Sequence, residues 1–424
     1  MIIHTVQPGE TANSIAATYG VSVDRLIADN QISNPNQLVV GESLIIMFPA
    51  ETYIIQEGDS LESIAAAHNI TVMQLLQNNP QLSGRVYIYP GEEVVLRYTD
   101  EKRMELSTNG YALPFIDVNT FRKTLPYLTY LTIFYYRITA EGNLIDINDQ
   151  ELIDTAKVYH VAPIMSISTL TSAGDVDAEV AHSILNDKAK QEHLINRVLE
   201  ILTAKGYYGL NVDVQHVLEE DRQLFVEFVA TISERVRQEG YYVSITLTPS
   251  TFPTDPNVLY QGPEYTPLGQ VTDSTMLLSY EWGHAHSPQP ALPLAWVRAL
   301  LDYSVTQIPA EKINIGLPTI GYIWQLPFIP DYTIANSITH NSALALASEV
   351  GAVIQHDEAS EAPYFTYTTD NDYIVWFRDV RSISALMDLV VEYGLEGIGT
   401  WNIMQFASAL WIEIAAQYDI RKII

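Results

Sequence analysis

No cysteine occurs anywhere in the chain, so neither disulfides nor thiol chemistry can be part of what it does, and a cytosolic origin is expected. Basic residues are scarce. Twenty-two Lys and Arg stand against 51 Asp and Glu, a formal charge of −29. That field repels nucleic acid and anionic membranes and removes both as expected partners. No apolar run approaches the length of a membrane span. The opening stretch MIIHTVQPGETANSIA lacks a basic segment followed by a long apolar one, so no signal peptide is expected. What remains is a folded composition, 47% hydrophobic with a mean hydropathy of +0.05. Spread over 424 residues, it is too large for one ordinary core, and two or three domains are expected.

The first hundred residues repeat. HTVQPGETANSIAATYGVSVDRLIADN (4–30) matches YIIQEGDSLESIAAAHNITVMQLLQNN (53–79), and LVVGESLII (38–46) matches YIYPGEEVVL (87–96) with one residue gained. Each copy reads strand, helix, helix, strand. Gly9 and Gly58 make a turn, and Thr11 and Ser60 stand where a helix N-cap belongs. Units this small have thin cores and usually bind something. The shared G-[DE]-[ST]…SIA…N pattern resembles the LysM module, which binds N-acetylglucosamine chains of peptidoglycan or chitin. The resemblance implies modules at 1–48 and 51–97. It places their glycan grooves at Gly9, Glu10 and Thr11 with Ile32–Asn34, and at Gly58, Asp59 and Ser60 with Leu82–Gly84. Read without the resemblance, the same Gly, acid and hydroxyl residues are turn and cap formers.

Residues 98–103, YTDEKR, read as a charged linker. Beyond them apolar strands alternate with amphipathic helices. Strands are predicted at 105–113, 128–138, 160–168, 209–214, 242–249, 275–282, 313–320 and 397–403. One helix carries Leu194, Val198, Ile201 and Leu202 on a face and stops at Gly206. The next carries Phe225, Phe228, Ile232 and Val236 and stops at Gly240. Eight strands separated by helices predict an α/β fold, a (β/α)8 TIM barrel over 103–424, preceded by the two βααβ modules. The region exceeds the ~250 residues a barrel needs. An α+β insertion is therefore expected between strands 7 and 8, near 325–385.

Strand four, GLNVDVQ (209–215), alternates Asn211, Asp213 and Gln215 with Leu210, Val212 and Val214, so the polar residues share one face. Active sites of such barrels sit at the C-terminal strand ends. Those ends also offer Tyr280, Glu281 and Trp282, then Tyr322 and Trp324, then Trp401 and Asn402. Aromatic faces flanked by carboxylates suit sugars, whose C–H faces stack on rings.

These residues resemble glycoside hydrolase family 18, which includes chitinases and N-acetylglucosaminidases. Its strand-four motif is D-x-x-D-x-D-x-E, and here the four positions read Tyr208, Asn211, Asp213 and Gln215. SYEW (279–282) and GIGTW (397–401) are similar to its strand-six and strand-eight segments. With two LysM-like modules in front, the arrangement resembles spore cortex-lytic enzymes. The resemblance implies a peptidoglycan hydrolase made without a signal peptide and located in the spore coat or cortex. It would be a monomer, without cofactor or metal, with Asp213, Gln215, Tyr280 and Asn211 as catalytic positions. Substrate would be bound by Trp401, Glu281, Trp282, Tyr322 and Trp324. In the family's substrate-assisted retaining chemistry, Asp213 orients the substrate acetamide, Tyr280 donates to its oxygen, and the last motif position protonates the leaving oxygen.

An amide cannot do that last step. Three readings stand side by side. Gln215 is an introduced Glu-to-Gln change, or the chain is a natural glycan binder without hydrolysis, such as a spore coat protein, or another acid serves, with Glu281 nearest and Glu219 or Glu220 further along. A metal-dependent deacetylase is disfavoured, because His284 and His286 lack an evident third ligand.

Overall fold

The helix caps show how closely the repeat is built. In the computed structural model, which describes residues 1–85, 87–172, 174–175, 177–215, 217–249, 264–280, 288–290, 292–329 and 332–424, the first module runs β1 (Ile2–Thr5), α1 (Ala12–Tyr19), α2 (Val23–Asn30), β2 (Ser43–Ile46). The second runs β3 (Pro49–Ile54), α3 (Leu61–Ala67), α4 (Val72–Asn78), β4 (Glu93–Tyr98). Thr11 and Ser60 cap α1 and α3. Each hydroxyl accepts the backbone N–H of the serine three residues on, and that serine's hydroxyl accepts the cap residue's own N–H. Each module closes with one antiparallel strand pair, β1 on β2 and β3 on β4.

The barrel strands are β5 (Met104–Ala112), β6 (Tyr130–Ile138), β8 (Ala162–Ser168), β9 (Gly209–Asp213), β10 (Tyr242–Leu247), β11 (Ser274–Leu277), β12 (Ile313–Pro318) and β18 (Gly397–Trp401). Each pairs in parallel with the next, and β18 pairs with β5 to close the ring. A short β7 (Leu144–Ile145) turns back on β6. The helices α5 (Val118–Thr124), α6 (Gln150–Val158), α7 (Ala178–Leu185), α8 (Lys188–Lys205), α9 (Arg222–Gln238), α10 (Tyr265–Val271) and α11 (Leu294–Ser304) lie along the chain between them. The faces expected for α8 and α9 are buried against the strands, and Gly206 ends α8 in the left-handed conformation.

Strand seven ends at Pro318, short of the predicted 320; Thr319 N–H still bonds Trp401 O, and the chain then leaves the ladder. Ile320 already belongs to another sheet. β13 (Ile320–Leu326), β14 (Asn336–Thr339), β15 (Gln355–Asp357), β16 (Ala362–Thr368) and β17 (Asp372–Trp376) form an antiparallel sheet packed on α12 (His340–Val350). The chain returns through α13 (Val380–Tyr393) to β18, then α14 (Ser408–Gln417) and β19 (Tyr418–Ile420), which pairs with β5.

The modules are docked on the barrel. Val39 of the first enters the core of the insertion, and Ile354 N–H donates to Val40 O at 2.9 Å. Ile45 and Met47 pack on Val380, Ile412 and Ala416. The second module is held where Tyr127 Oη donates to Gln77 O at 2.6 Å and Gln77 Nε2 donates to Pro126 O at 2.8 Å. The stretch expected as a linker is a pinned strap instead. Thr99 N–H bonds Phe48 O, Arg103 N–H bonds Gln417 O, and the Lys102 ammonium donates to the carbonyls of Ala415 and Tyr418. Of its charges, Lys102 is engaged with the end of α14, Asp100 with the Met1 ammonium and Arg103 with Asp388, while Glu101 is exposed.

Candidate active site

In β9, Leu210 and Val212 face the helices in the main core, and Asn211 and Asp213 face the barrel axis. Parallel pairing sets Ser166, Asn211 and Ser244 in one layer, with Ser168 opposite Asp213. Asn211 closes its layer. Its Nδ2 donates to Ser166 Oγ at 3.3 Å and Thr246 Oγ1 at 3.1 Å, and its Oδ1 accepts from Ser244 Oγ at 3.0 Å. Asp213 sits at the strand end, 2% exposed, and accepts from Gln215 Nε2 at 3.0 Å.

Asp213 and Gln215 line a cavity of about 240 Å³ at the C-terminal strand ends, together with Tyr280, Tyr322, Trp401, Tyr111, Phe134 and Thr246. The Trp401 ring is held edge-on by Phe134, at 4.7 Å between centroids, and tilted against Tyr111 at 5.7 Å. Gly316 on β12 makes room for Tyr280, since a Cβ there would lie 2.5 Å from Tyr280 Cε1.

Burial pushes the Asp213 carboxyl up to about 6, against the opposing pull of the Gln215 hydrogen bond. The Tyr111 phenol is pushed up by burial first and then by the Asp213 charge. Asp213 is the only carboxylate among the described residues of the cavity. A carboxyl poised near neutrality, an amide beside it and an aromatic wall can hold an acetamido sugar. They contain no group at position 215 that can release a proton.

The structure therefore brings Asp213, Gln215, Tyr280, Tyr322 and Trp401 together. Asn211 stays one layer below, its hydrogen bonds turned into the barrel. Trp324 is a correction: it is fully buried, 5.6 Å from the Tyr322 ring, with no face left for a sugar. Glu219 and Glu220 also fall away from the cavity, in a 3-10 turn where Glu220 is exposed beside His182. Tyr208 packs on Tyr130 and Tyr242 at the opposite, N-terminal ends of the strands. Glu281, Trp282, His284 and His286 lie outside the described residues.

In the modules, Glu10 accepts from Gln7 N–H and bonds His4, while Asp59 accepts from Gln56 N–H and Tyr53 Oη. Both acids close their own turns. Gly9 and Gly58 adopt φ of 85° and 90° with open space beside them. Exposed rings of Tyr87 and Tyr89 flank the second module. Sequence reading missed Tyr87, Tyr89, Tyr111, Phe134 and Thr246. Tyr111 was within reach of it: Asn109 and Tyr111 alternate on β5 as Asn211 and Asp213 do on β9.

The model of the glycosyl hydrolases family 18 matches residues 94–405, and that of the LysM domain matches 4–46 and 53–97. The putative sporulation-specific glycosylase YdhD of Bacillus subtilis (strain 168) is 31% identical over 428 residues, covering 100% of both chains. The cortical fragment-lytic enzyme of the same organism is 30% identical over 431 residues, covering 100% of this chain and 99% of its own. Among solved structures, the spore cortex-lytic enzyme SleL of Bacillus megaterium superposes with a TM-score of 0.82 at 27% identity, over 100% of this chain and 99% of that one.

Proposed function

Because the chain belongs to the glycosyl hydrolases of family 18 and carries two LysM domains, we propose that its substrate is spore cortex peptidoglycan, bound at N-acetylglucosamine, and that with Gln215 in place it binds this glycan but turns it over very slowly. The family and the domains imply binding of N-acetylglucosamine-containing polymers. The cortex is proposed from the relatives, two of which are a cortical fragment-lytic enzyme and a spore cortex-lytic enzyme. Among the described residues no helix is long and apolar enough to cross a membrane.

The observation that carries the reading is Asp213, buried at the strand end with its carboxyl up near 6 and bonded to Gln215. In the proposed chemistry the substrate's acetamide oxygen attacks its own anomeric carbon. Asp213 holds the acetamide N–H and offsets the oxazolinium charge, Tyr280 donates to the acetamide oxygen, and Trp401 is the floor. The departing oxygen needs a proton from position 215. A Glu there, beside Asp213, would share a proton with it in one coupled titration and keep an acid protonated near neutral pH.

A general acid contributes about 10²–10⁴-fold to rate. Gln215→Glu should raise kcat by about that factor in reducing-end release from cortex fragments, and Asp213→Asn added to it should abolish the gain. A Gln215→Glu protein no faster than its parent favours the second reading, a glycan-binding protein without hydrolysis, which the amide itself supports. Fast hydrolysis by the parent would assign the acid elsewhere, and Glu281→Gln should then silence it.

A further inference from the structure

Behind the wall that carries Trp401 lies a second cavity, of about 140 Å³. Ile320 lines both cavities, and Asn402, next to Trp401 in the chain, lines the second. Its far side is built from three other parts of the molecule. Gln31 comes from the end of the first module's α2, His340 from the start of α12, and Arg378 from the turn into α13. Gln31 immediately precedes the 32–34 loop that the LysM resemblance makes one side of a glycan groove. The cavity is thus bounded by the first module on one side and by the wall shared with the Asp213 cleft on the other.

Arg378 is 8% exposed, yet among the described residues neither its Nε nor its Nη2 has a hydrogen-bond partner, and its guanidinium makes no ion pair with them. Burial brings it down to about 10, still cationic at neutral pH. The neighbouring Asp379 is already engaged. One oxygen caps α13 at Arg381 N–H and Ser382 N–H, and the other takes the Nε and Nη2 of Arg381 at 2.9 and 2.6 Å. His340 Nδ1 lies 2.7 Å from Arg378 O and must carry the proton that bonds it, and burial lowers the ring's affinity for a second one. Arg378 is therefore the uncompensated charge among the cavity's described residues. An unpaired buried cation is unfavourable in itself, and removing one usually stabilises a fold or leaves it unchanged. A planar guanidinium matches a carboxylate, with two parallel N–H bonds.

The buried ammonium of Lys422, by contrast, is satisfied by the carbonyls of Leu125, Leu128 and Tyr159. Peptidoglycan alternates N-acetylglucosamine with a muramic sugar, which bears a lactyl carboxyl and, through it, a peptide. We propose that Arg378 anchors a carboxylate subsite that takes the free carboxylate of a muramic residue, or of its peptide, while a neighbouring N-acetylglucosamine unit occupies the Asp213 cleft. This rests on the glycan reading of that cleft.

The test uses the full chain, whose Gln215 keeps turnover slow, and calorimetric binding of four ligands. These are chitotetraose, a peptide-free muramyl tetrasaccharide with free carboxylates, the same sugar with its carboxylates converted to amides, and a tripeptide-bearing form. The free-carboxylate glycan should bind about tenfold or more tighter than chitotetraose, and the amide form should lose the advantage. Arg378→Met should bring the ratio to about one, with a Tm in the absence of ligand no lower than the parent's. An advantage seen only with the tripeptide form assigns the carboxylate to the peptide, and one already present in the peptide-free sugar assigns it to the lactyl group. A ratio that survives Arg378→Met, a fall in Tm, or no preference in the parent overturns the subsite while leaving the cleft intact. Failure of chitotetraose to bind at all removes the cleft reading, and the subsite with it.

Discussion

At position 215 an amide nitrogen donates to a carboxylate that is 2% exposed. The pair explains both the chemistry proposed above and a property of the folded chain measurable without substrate. An aspartate in an unfolded chain titrates near ~3.9, and burial holds Asp213 at about 6. Between those values the folded chain keeps a proton that the unfolded chain has released. The stability associated with this group is therefore complete below about pH 4 and is lost as pH rises through about 6, a difference of about 3 kcal/mol. Asp213→Asn removes the titration. Its Tm should match the parent's at pH 4, within a degree or so, and exceed it by several degrees at pH 8. An offset that is the same at both pH values would mean that the carboxyl titrates as an exposed one. In the sequence Asp213 stands out through its period-two neighbours, and the structure places it at the strand end beside Gln215. Trp324 misleads there because a tryptophan beside a tyrosine on an edge of the insertion reads the same whether it faces a ligand or the core.

At the scale of elements, the repeat shows why so small a module holds a shape. Asn30 and Asn79 occupy equivalent positions, at the end of α2 and just after α4. Asn79 Nδ2 donates to Leu75 O at 2.9 Å and Val95 O at 2.7 Å, and Val95 N–H donates to its Oδ1 at 2.9 Å. Asn30 makes the same three bonds with Leu26 and Ile45. One buried amide thus stitches the second helix to the closing strand in each copy. Asn79→Ala strands those partners in a thin core, at a local cost of about 2–3 kcal/mol. Hydrogen exchange at the Ile55 amide of the same module, which bonds Glu92 O and not Asn79, should accelerate roughly tenfold or more while that at Leu210 in the barrel stays unchanged. Equal acceleration at both sites would mean that the module does not open separately from the barrel. Strand and helix positions were largely legible, because alternation along β9 and the apolar faces of α8 and α9 are local patterns. The end of β12 was not, since Ile320 continues the apolar run of β12 while belonging to the next sheet. Nor was the role of the paired asparagines, which depends on strands 15 and 16 residues away.

For the whole molecule, what the sequence hid is how the parts meet. Val39 in one core with Phe365, or Ile45 in one core with Ile412, joins segments hundreds of residues apart, and no periodicity reports it. The docking makes the two modules inequivalent. In the first, Val39 and Val40, in the turn before the closing strand, are engaged with the insertion. The corresponding turn of the second carries Tyr87 and Tyr89, 70% and 58% exposed, whose rings are free to stack on sugars. Because both modules sit on one body, a glycan strand held by one is offered to the other at high effective concentration. Losing either contact should therefore weaken retention by more than its own share. Changing both Tyr87 and Tyr89 to Ala in the full chain should lower retention on insoluble peptidoglycan more than twofold. Because the two rings are largely solvent-exposed, Tm should not change. Chitotetraose binding in the Asp213 cleft should also stay as it was, since neither tyrosine lines it. Retention equal to the parent's would mean that the polymer is held by the first module and the cleft alone, and that the exposed rings of the second serve some other contact.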